Sequence, residues 1–267
     1  MHRRPGRAAL GAVVLFFCSA ALAAPARVPA PVSPAQRAAI ESVIQEYLES
    51  HPEAVQKALQ AMQAKEEAEH TRKQREALAL HQKELVEDMA TPVAGNPQSR
   101  VAIVEFFDYS CPHCKHSEPA MQSLLEKDGG SVRFVYKELP ILGPGSMYAA
   151  RAALASVKQG KYAALHHALM ESEAIDEESV KAVAASTGLD VPRLLKDMQD
   201  PAIDAAIEKN SRLASELDIQ GTPAFVIGGQ VLPGGVDAGV LSALIAIEKA
   251  QAGIAQADGT GAARTVR

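Results

Sequence analysis

The distribution of apolar and polar residues divides the chain into an N-terminal helical part and a later part that combines strands with helices. Apolar residues recur at helical spacing within 40–48 and 55–62, on either side of the pair His51-Pro52. An almost uninterrupted charged and polar run follows at 63–76. We predict two helices that each carry one apolar face, followed by a charged helix with nothing to pack against.

The predicted apolar face has two candidate partners. It packs back onto its own chain as part of a solvated arm, or it meets the same face of other copies while the charged helix forms a stalk. Isolated short helices are marginally stable in water, and an exposed apolar face is typical of a contact surface. We therefore favour assembly of the chain into a homodimer or a homotrimer.

The later part of the chain has the pattern of an α/β domain. A turn-rich segment is followed by a strand-length apolar run, and helical patterns fill most of the space between the second strand and a final hairpin. A Gly-Gly pair between two short strands predicts the tight turn of that hairpin. The predicted elements are strands at 101–107 and 132–136, a hairpin within 220–235 and a closing amphipathic helix at 240–250.

Composition narrows the classes of function. The 267 residues carry a net charge of −5, so the chain lacks the basic surface expected of a nucleic-acid-binding protein. The hydrophobic fraction of 47% is that of an ordinary globular protein. We expect no nucleic-acid partner.

The N-terminus has the pattern of a cleavable export signal. Arg3, Arg4 and Arg7 precede an apolar run at 8–23, which ends in the small-residue cleavage pattern Ala21-Leu22-Ala23. The apolar run is too short for a membrane-spanning helix. We expect cleavage after residue 23 and a periplasmic protein, and the sequence leaves open an association with the outer membrane.

The predicted organisation follows from these patterns. It comprises a signal peptide at 1–23, a flexible leader at 24–32, a helical oligomerisation and stalk region at 33–90, a linker at 91–99, the first part of the α/β domain at 100–145, a helical insertion at 146–217, the second part of the domain at 218–250 and a disordered tail at 251–267.

The candidate chemistry is concentrated in Cys111-Pro112-His113-Cys114, which holds the only cysteines outside the signal. The motif follows a predicted strand and begins a helix, so unpaired N–H groups and the positive end of the helix dipole favour the thiolate of Cys111. Pro112 suits the first helical turn because it has no N–H to lose. We predict that Cys111 is the nucleophile and that Cys114 closes or resolves its disulfide.

Other uses of a Cys-x-x-Cys pair fit this sequence less well. Structural zinc needs four ligands, and only His113 and His116 are near enough in sequence to join the two cysteines. Covalent haem attachment requires His directly after the second cysteine, where this chain has Lys115. A structural disulfide across a two-residue loop gains little chain entropy.

Two further histidines lie in the predicted helical insertion. His166 and His167 are adjacent and cannot share one face of a helix, so we expect core or surface positions rather than metal ligands. We therefore expect no metal ion, and no cofactor other than a redox-active disulfide between Cys111 and Cys114.

The segments together resemble the thioredoxin fold with an inserted helical domain, as in the DsbA-like family of periplasmic thiol–disulfide oxidoreductases. The resemblance is carried by Glu105-Phe106-Phe107, by the Cys111-Pro112-His113-Cys114 centre and by Gly221-Thr222-Pro223 before the hairpin. It covers about residues 93–250. With the helical extension, the chain is most similar to oligomeric members such as the suppressor-of-copper-sensitivity C proteins and the dimeric DsbA proteins.

The resemblance implies roles for four residues around the cysteines. Pro223 is expected to be a cis proline facing the active site, where the backbone of Thr222 pairs with the substrate polypeptide as an added strand. Glu105 is expected to be a partly buried carboxylate beneath the cysteines. It would help to move the proton when Cys114 attacks, with Lys137 as its partner.

The residues between the cysteines affect the redox chemistry. An imidazole at His113, beside the helix N-terminus, can donate a hydrogen bond to the thiolate of Cys111. Stabilising the thiolate stabilises the reduced form, which makes the disulfide a stronger oxidant.

The favoured function is an enzyme that forms or isomerises disulfide bonds in cysteine-containing exported polypeptides and is regenerated by a membrane redox partner. An oligomer that holds several reduced centres around one substrate suits isomerisation. Thr222 before Pro223 also resembles the isomerase members of the family. A dedicated dithiol oxidase is the alternative within this class.

A binding protein is the alternative from another class. Cys111, Cys114 and a neighbouring histidine could bind copper(I), because soft thiolate ligands favour that ion. The chain has no further thiols in its mature part to complete such a site. This shortage favours the enzyme over copper(I) binding as the main function.

Overall fold

The computed structural model describes residues 32–88 and 91–253. The predicted signal peptide, nearly all of the leader and the tail from residue 254 lie outside the described residues. Among the helices of the described ranges, none combines the length and the apolar content that crossing a membrane requires. The chain divides into two compact units, residues 1–61 and 62–267.

The first unit contains helix α1, Pro34–Ser50, and the beginning of helix α2, Pro52–Leu80. Ser33 caps α1 because its hydroxyl accepts the Gln36 N–H, while the Gln36 side chain accepts the Ser33 N–H. His51 ends α1 and Pro52 begins α2, as the sequence predicts. The pre-proline position disfavours a continuous helix, which separates the two.

The predicted apolar face of the first unit is exposed. Its side chains are between 41% and 65% exposed, and they are Ile40, Val43, Ile44, Tyr47, Leu48, Val55 and Leu59. No residue of α1 is buried. A row of exposed apolar side chains on helical spacing is typical of a surface that contacts another protein.

The second unit is built on a five-stranded sheet in the order β1-β3-β2-β4-β5. The strands are β1 (Val93–Gly95), β2 (Ala102–Phe107), β3 (Arg133–Glu138), β4 (Ala224–Ile227) and β5 (Gln230–Pro233). Strands β2 and β3 are parallel, and the other neighbouring pairs are antiparallel. Gly228 and Gly229 form the β4–β5 turn with φ of 57° and 71°, the positive values that a tight hairpin turn needs.

Helices cover the sheet and fill the insertion between β3 and β4. They are α3 (Gln82–Val86), α4 (Pro112–Asp128), α5 (Pro144–Ser156), a 3-10 turn (Val157–Gln159), α6 (Tyr162–Glu171), α7 (Glu177–Ser186), α8 (Val191–Asp197), α9 (Pro201–Glu216) and α10 (Ala238–Gln251). Helices α7 to α10 each begin with an aspartate whose carboxylate accepts a backbone N–H of the first turn. The expected α/β fold with a helical insertion is confirmed.

The two faces of the sheet carry separate clusters of buried side chains. Ile103 and Phe107 of β2 join the cluster that includes α4 and the insertion helices. Val104 and Phe106 join the cluster on the other face, with α9 and the end of α2. Because successive strand residues point to opposite faces, Glu105 points to the face that carries α4.

The charged helix is not a free stalk over its whole length. Leu78 near the end of α2 and Leu85 of α3 are buried in the cluster that contains Phe106. The Gln74 side chain donates to the carbonyl of Leu217 at 3.1 Å. The prediction of a helix with nothing to pack against, made for residues 63–76, is therefore wrong at the end of that run, where Gln74 contacts Leu217. The apolar residues expected to return after the run pack on the sheet.

The predicted linker at 91–99 contains strand β1, which pairs with β3 in antiparallel register. Gly95 has φ of 75°, and a Cβ at this position would lie 2.5 Å from the carbonyl oxygen of Val132. A strand of three residues is too short for an alternating pattern to show in the sequence. The turn residues that surround it therefore dominated the prediction.

We predict that Leu85→Ala lowers the free energy of unfolding by about 2–5 kcal/mol, the range for truncating a buried leucine. Leu85 is 3% exposed, whereas Leu80 is 80% exposed and provides the matched control. Leu80→Ala should change the free energy of unfolding by less than about 0.5 kcal/mol. Denaturant unfolding measures both, and an equally small effect at both positions would contradict the packing of α3 on the sheet.

Candidate functional site

The two cysteines lie at the N-terminus of α4, directly after the loop that follows β2. Cys111 is the N-cap residue, and its carbonyl accepts the N–H of Lys115 at 3.1 Å. Cys111 and Cys114 are 4% and 1% exposed, and they are free thiols. The Cys111 thiol donates to the carbonyl of Thr222 at 3.1 Å. Burial raises the pKa of the Cys114 thiol, which keeps its proton on the sulfur.

The structure brings the Thr222-Pro223 segment to the cysteines, as the resemblance implies. The Thr222–Pro223 peptide bond is cis. The carbonyl of Pro223 accepts the N–H of Gly234 at 2.8 Å, which ties this segment to the turn after β5. Thr222 and Pro223 directly precede β4. Thr222 is half-buried and Pro223 is buried.

Pro112 and His113 occupy the first turn of α4. Pro112 is the first helical residue, as predicted, where no N–H is required. His113 follows it and is exposed, and its carbonyl accepts the hydroxyl of Ser117 at 2.9 Å. The imidazole is therefore on the solvent side of the helix N-terminus.

Asp108 fixes the loop that carries Cys111, and the sequence analysis did not select it. Its carboxylate accepts the N–H of Ser110 at 2.7 Å and the N–H of Leu142 at 2.9 Å. Its carbonyl accepts the N–H of Cys111 at 3.0 Å. The loop before the cysteines is thus joined to the loop after β3. An aspartate at the end of a strand, just before a turn, is the signal that could have identified it.

Glu105 is buried on the α4 side of the sheet and is only 2% exposed. Burial raises its pKa well above the ordinary value, and the negative charges of Glu118, Cys111 and Glu138 raise it further. Among the described residues, its Oε2 has no hydrogen-bond partner. The charge of Glu105 also raises the pKa of Cys114. The carboxyl is therefore suited to exchanging a proton with the thiol.

Lys137 is not the partner of Glu105. The β2–β3 register places Lys137 opposite the residue after Glu105, so its side chain points to the other face of the sheet. There its ammonium donates to the Glu84 carbonyl at 3.1 Å and to Thr91 Oγ1 at 2.9 Å, with Asp88 Oδ2 at 3.8 Å. Desolvation lowers the pKa of Lys137 to about 8. The prediction was wrong because it ignored the alternation of strand side chains.

A buried polar network packs beside the cysteine loop, and the sequence analysis missed it. The hydroxyls of Tyr109 and Tyr162 donate to Glu138 Oε1 at 3.0 Å and 2.9 Å. The Asn210 side chain donates to the Glu138 carbonyl at 3.1 Å. Burial raises the pKa of Glu138, and the two tyrosine hydrogen bonds partly oppose this. Its members come from separate elements, so no local pattern connects them.

The chain matches the model of the DSBA-like thioredoxin domain over residues 102–246. The match begins at the start of β2 and ends within α10, so it includes the cysteines, the helical insertion and the β4–β5 hairpin.

Two solved structures share this fold. A thioredoxin-like oxidoreductase from Silicibacter pomeroyi DSS-3 is 43% identical, with a TM-score of 0.60 over 64% of this chain and 97% of that chain. Proteus mirabilis ScsC in a transitional conformation is 31% identical, with a TM-score of 0.62 over 82% of this chain and 99% of that chain. The second similarity therefore extends over more of this chain than the first.

Two curated relatives match part of this chain. The thiol:disulfide interchange protein DsbA of Bordetella parapertussis is 25% identical over 154 residues, which are 55% of this chain and 73% of that protein. The Na(+)/H(+) antiporter NhaA of Herminiimonas arsenicoxydans is 29% identical over 154 residues, and this chain spans only 25% of its length. The similarity to the antiporter thus concerns one segment of a much longer protein.

We predict that Glu105→Gln stabilises the reduced protein relative to the wild type as pH rises. Because the folded chain holds the Glu105 proton more tightly than the unfolded chain, the wild type loses stability from the unfolded pKa of about 4.3 upward. At pH values above the folded pKa, the difference in free energy of unfolding between Glu105→Gln and the wild type reaches about 1.4 kcal/mol for each unit by which the folded pKa of Glu105 exceeds its unfolded pKa. Below the unfolded pKa, Glu105 is protonated in both the folded and the unfolded chain, so this pH-dependent difference between the variant and the wild type is absent.

Denaturant unfolding at a series of pH values measures this difference. Glu126, which is exposed on α4, provides the matched control, and Glu126→Gln should follow the wild type. A difference between Glu105→Gln and the wild type that stays constant over the whole pH range would contradict the effect of burial on the Glu105 pKa.

Proposed function

The chain belongs to the DSBA-like thioredoxin domain family of thiol–disulfide oxidoreductases, and on this basis we propose that it isomerises disulfides in exported polypeptides as an oligomer. The observation that carries the proposal is the pairing of an N-cap cysteine with a buried cysteine one turn later. The thiol of Cys111 lies beside the Thr222 carbonyl, and Cys114 lies behind it with a raised pKa.

The exchange begins when the Cys111 thiolate attacks a substrate disulfide. A bond forms between Cys111 and one substrate sulfur, the substrate S–S bond breaks, and the other substrate sulfur leaves as a thiolate. That thiolate attacks a second disulfide of the substrate, and a later attack on the mixed disulfide releases Cys111 as a thiolate. No electrons are gained or lost overall, which is the balance of an isomerisation.

Cys114 acts when the rearrangement stalls. It attacks the sulfur of Cys111, releases the substrate thiolate and leaves a disulfide between the two cysteines. Because burial raises the pKa of Cys114, its thiol must lose a proton before it attacks. We assign Glu105 as the group that takes this proton. The reverse sequence, from the disulfide form, oxidises a substrate dithiol.

The Thr222 carbonyl marks the binding position of the substrate backbone. In the free protein it accepts the Cys111 thiol at 3.1 Å. An extended substrate segment would pair with the Thr222 backbone as an added strand and bring its own sulfur to Cys111. The substrates of this proposal are therefore unfolded or partly folded polypeptides that contain cysteine.

In this proposal the chain is an isomerase, and not only an oxidase, because copies assemble through the first unit. The exposed apolar residues of α1 and the beginning of α2 form the contact between copies. Several reduced centres then surround one substrate. The end of α2 packs on the sheet, so in this proposal the contact between copies is the apolar face within residues 33–61.

The proposed compartment is the periplasm. The support is the export signal predicted from Arg3, Arg4 and Arg7 and from the apolar run at 8–23. A compartment that permits disulfides is also where such an enzyme would find substrates. A membrane redox partner would return the cysteine pair to its active state.

We predict that the reduced mature protein reactivates ribonuclease with scrambled disulfides, and that Cys111→Ala lowers this activity to the uncatalysed rate. The Cys111 sulfur starts every exchange, so no residual catalysis remains without it. Cys114→Ala should retain initial reactivation but release trapped substrate slowly. Recovery of ribonuclease activity measures all three proteins.

Two outcomes would contradict the isomerase proposal. If the scrambled enzyme stays inactive while the disulfide form speeds oxidation of reduced ribonuclease, the protein is a dedicated dithiol oxidase. If neither reaction is catalysed and the reduced protein binds copper(I) tightly through its thiols, the copper(I)-binding alternative is favoured.

We predict that the double variant Ile40→Glu/Ile44→Glu is monomeric and loses most of its isomerase activity while keeping its oxidase activity. Both side chains are 52% exposed, so the charges disrupt contact between copies without burial in the single chain. Glu49→Lys, on the opposite side of α1, is the control. Light scattering gives the mass, and an unchanged mass in the double variant would contradict assembly through this face.

A further inference from the structure

A second cluster of reactive side chains contains neither of the two cysteines. Glu118 of α4 and the adjacent His166 and His167 of α6 each place a ligand atom within 4.8 Å of the others. Glu118 Oε2 lies 3.5 Å from His166 Nε2, and Glu118 Oε1 lies 2.5 Å from His167 Nδ1. Within residues 32–88 and 91–253 this is the one such group of three histidine, cysteine or acidic side chains.

The two histidines meet because a carboxylate from a neighbouring helix lies between them. Consecutive residues of a helix point about 100° apart. Helix α6 packs against α4, and Glu118 lies where it reaches both rings. Two rings that point apart on one helix can therefore both contact a third group on a facing helix.

The hydrogen bonds of Tyr109 determine which nitrogen of His166 carries a proton. The Tyr109 hydroxyl has one proton and donates it to Glu138 Oε1, which also accepts the Tyr162 hydroxyl. We therefore assign the His166 proton to Nδ1, which then donates to the Tyr109 oxygen at 3.1 Å. The neutral imidazole then has its lone pair on Nε2, the nitrogen that faces Glu118.

This assignment leaves a buried lone pair facing a carboxylate. His166 is fully buried, and its Nε2 has no hydrogen-bond partner in the described part of the chain. The Glu118 carboxylate, also buried, faces it at 3.5 Å. A cation between them could be bound by the Nε2 lone pair and by the carboxylate oxygen together.

The surroundings of His166 are those of a metal ligand. A histidine that binds a metal through one nitrogen usually donates its other N–H to an oxygen, which fixes the ring and its tautomer. Here the oxygen belongs to Tyr109, which in turn donates to Glu138. Gln122 contacts both Glu118 Oε1 and His167 Nδ1 at 3.1 Å and holds these two groups in place.

We propose that Glu118, His166 and His167 bind one divalent transition-metal ion of the zinc class. Two imidazoles and one carboxylate form a ligand set that zinc accepts, with a fourth position left for water. The ligand atoms of a tetrahedral zinc site lie about 3.3 Å apart. The His167 side chain is 32% exposed, which gives the ion a route from solvent. Binding would require His167 Nδ1 to move from 2.5 Å to about 3.3 Å from Glu118 Oε1.

The site is independent of thiol–disulfide exchange, since it uses neither cysteine. Glu118 follows Cys114 by four positions on α4, which places the site on the same side of the helix as the cysteines. A bound ion would join α4 to α6 directly behind the redox centre.

The test is a calorimetric titration of the mature protein with ZnCl2 at neutral pH, in the disulfide form so that no thiolate competes. We expect one ion per chain. Glu118→Gln and His167→Ala should each weaken binding at least tenfold, and Tyr109→Phe by about 10- to 100-fold. His116→Ala is the matched control, because His116 is exposed on the same helix, and it should leave binding unchanged.

Cobalt(II) in place of zinc identifies the ligands by absorption. Oxygen and nitrogen ligands should give visible d–d bands without the near-ultraviolet sulfur-to-cobalt charge-transfer band. The proposal is overturned if no stoichiometric binding occurs or if a sulfur band appears. It is also overturned if Glu118→Gln and His167→Ala, shown by circular dichroism to be folded, bind zinc as the wild type does.

Discussion

The alternation of side chains along β2, the central strand of the sheet, determines on which face of the sheet its buried reactive group lies. It points Glu105 towards α4 and the cysteines, and it points Val104 and Phe106 towards α3 and α9. The parallel partner β3 repeats the division, so Glu138 faces the cysteine side and Lys137 the opposite side. The sheet thus separates the acidic groups near the thiols from the buried ammonium of Lys137.

The three buried glutamates on the cysteine side are held in three different ways. Glu138 accepts two tyrosine hydroxyls, Glu118 contacts two histidines, and one oxygen of Glu105 lacks a hydrogen-bond partner among the described residues. A buried carboxyl without full hydrogen bonding favours its protonated form. Glu105 is therefore the one of the three suited to exchange a proton during thiol chemistry, whereas the other two are held by their neighbours.

Local sequence signals predicted the parts of the site that depend on a few consecutive residues. The strand before the cysteines, the proline at the first turn of α4 and the Gly-Gly hairpin are such parts. The parts that depend on distant elements could not be predicted in the same way. The position of Lys137 required the strand register, the end of α2 required the sheet as its partner, and Glu118 required a facing helix. Strand β1 was missed because three residues carry no periodicity.

The central claim is that Cys111 forms the mixed disulfide with substrate and that Cys114 resolves it. The most direct measurement is mass spectrometry of the covalent complex formed between a disulfide-containing polypeptide and single-cysteine variants of the reduced protein. The account predicts that Cys114→Ala accumulates a complex through Cys111, while Cys111→Ala forms none because Cys114 is buried and holds its proton. A complex that accumulates through Cys114 instead would contradict the account.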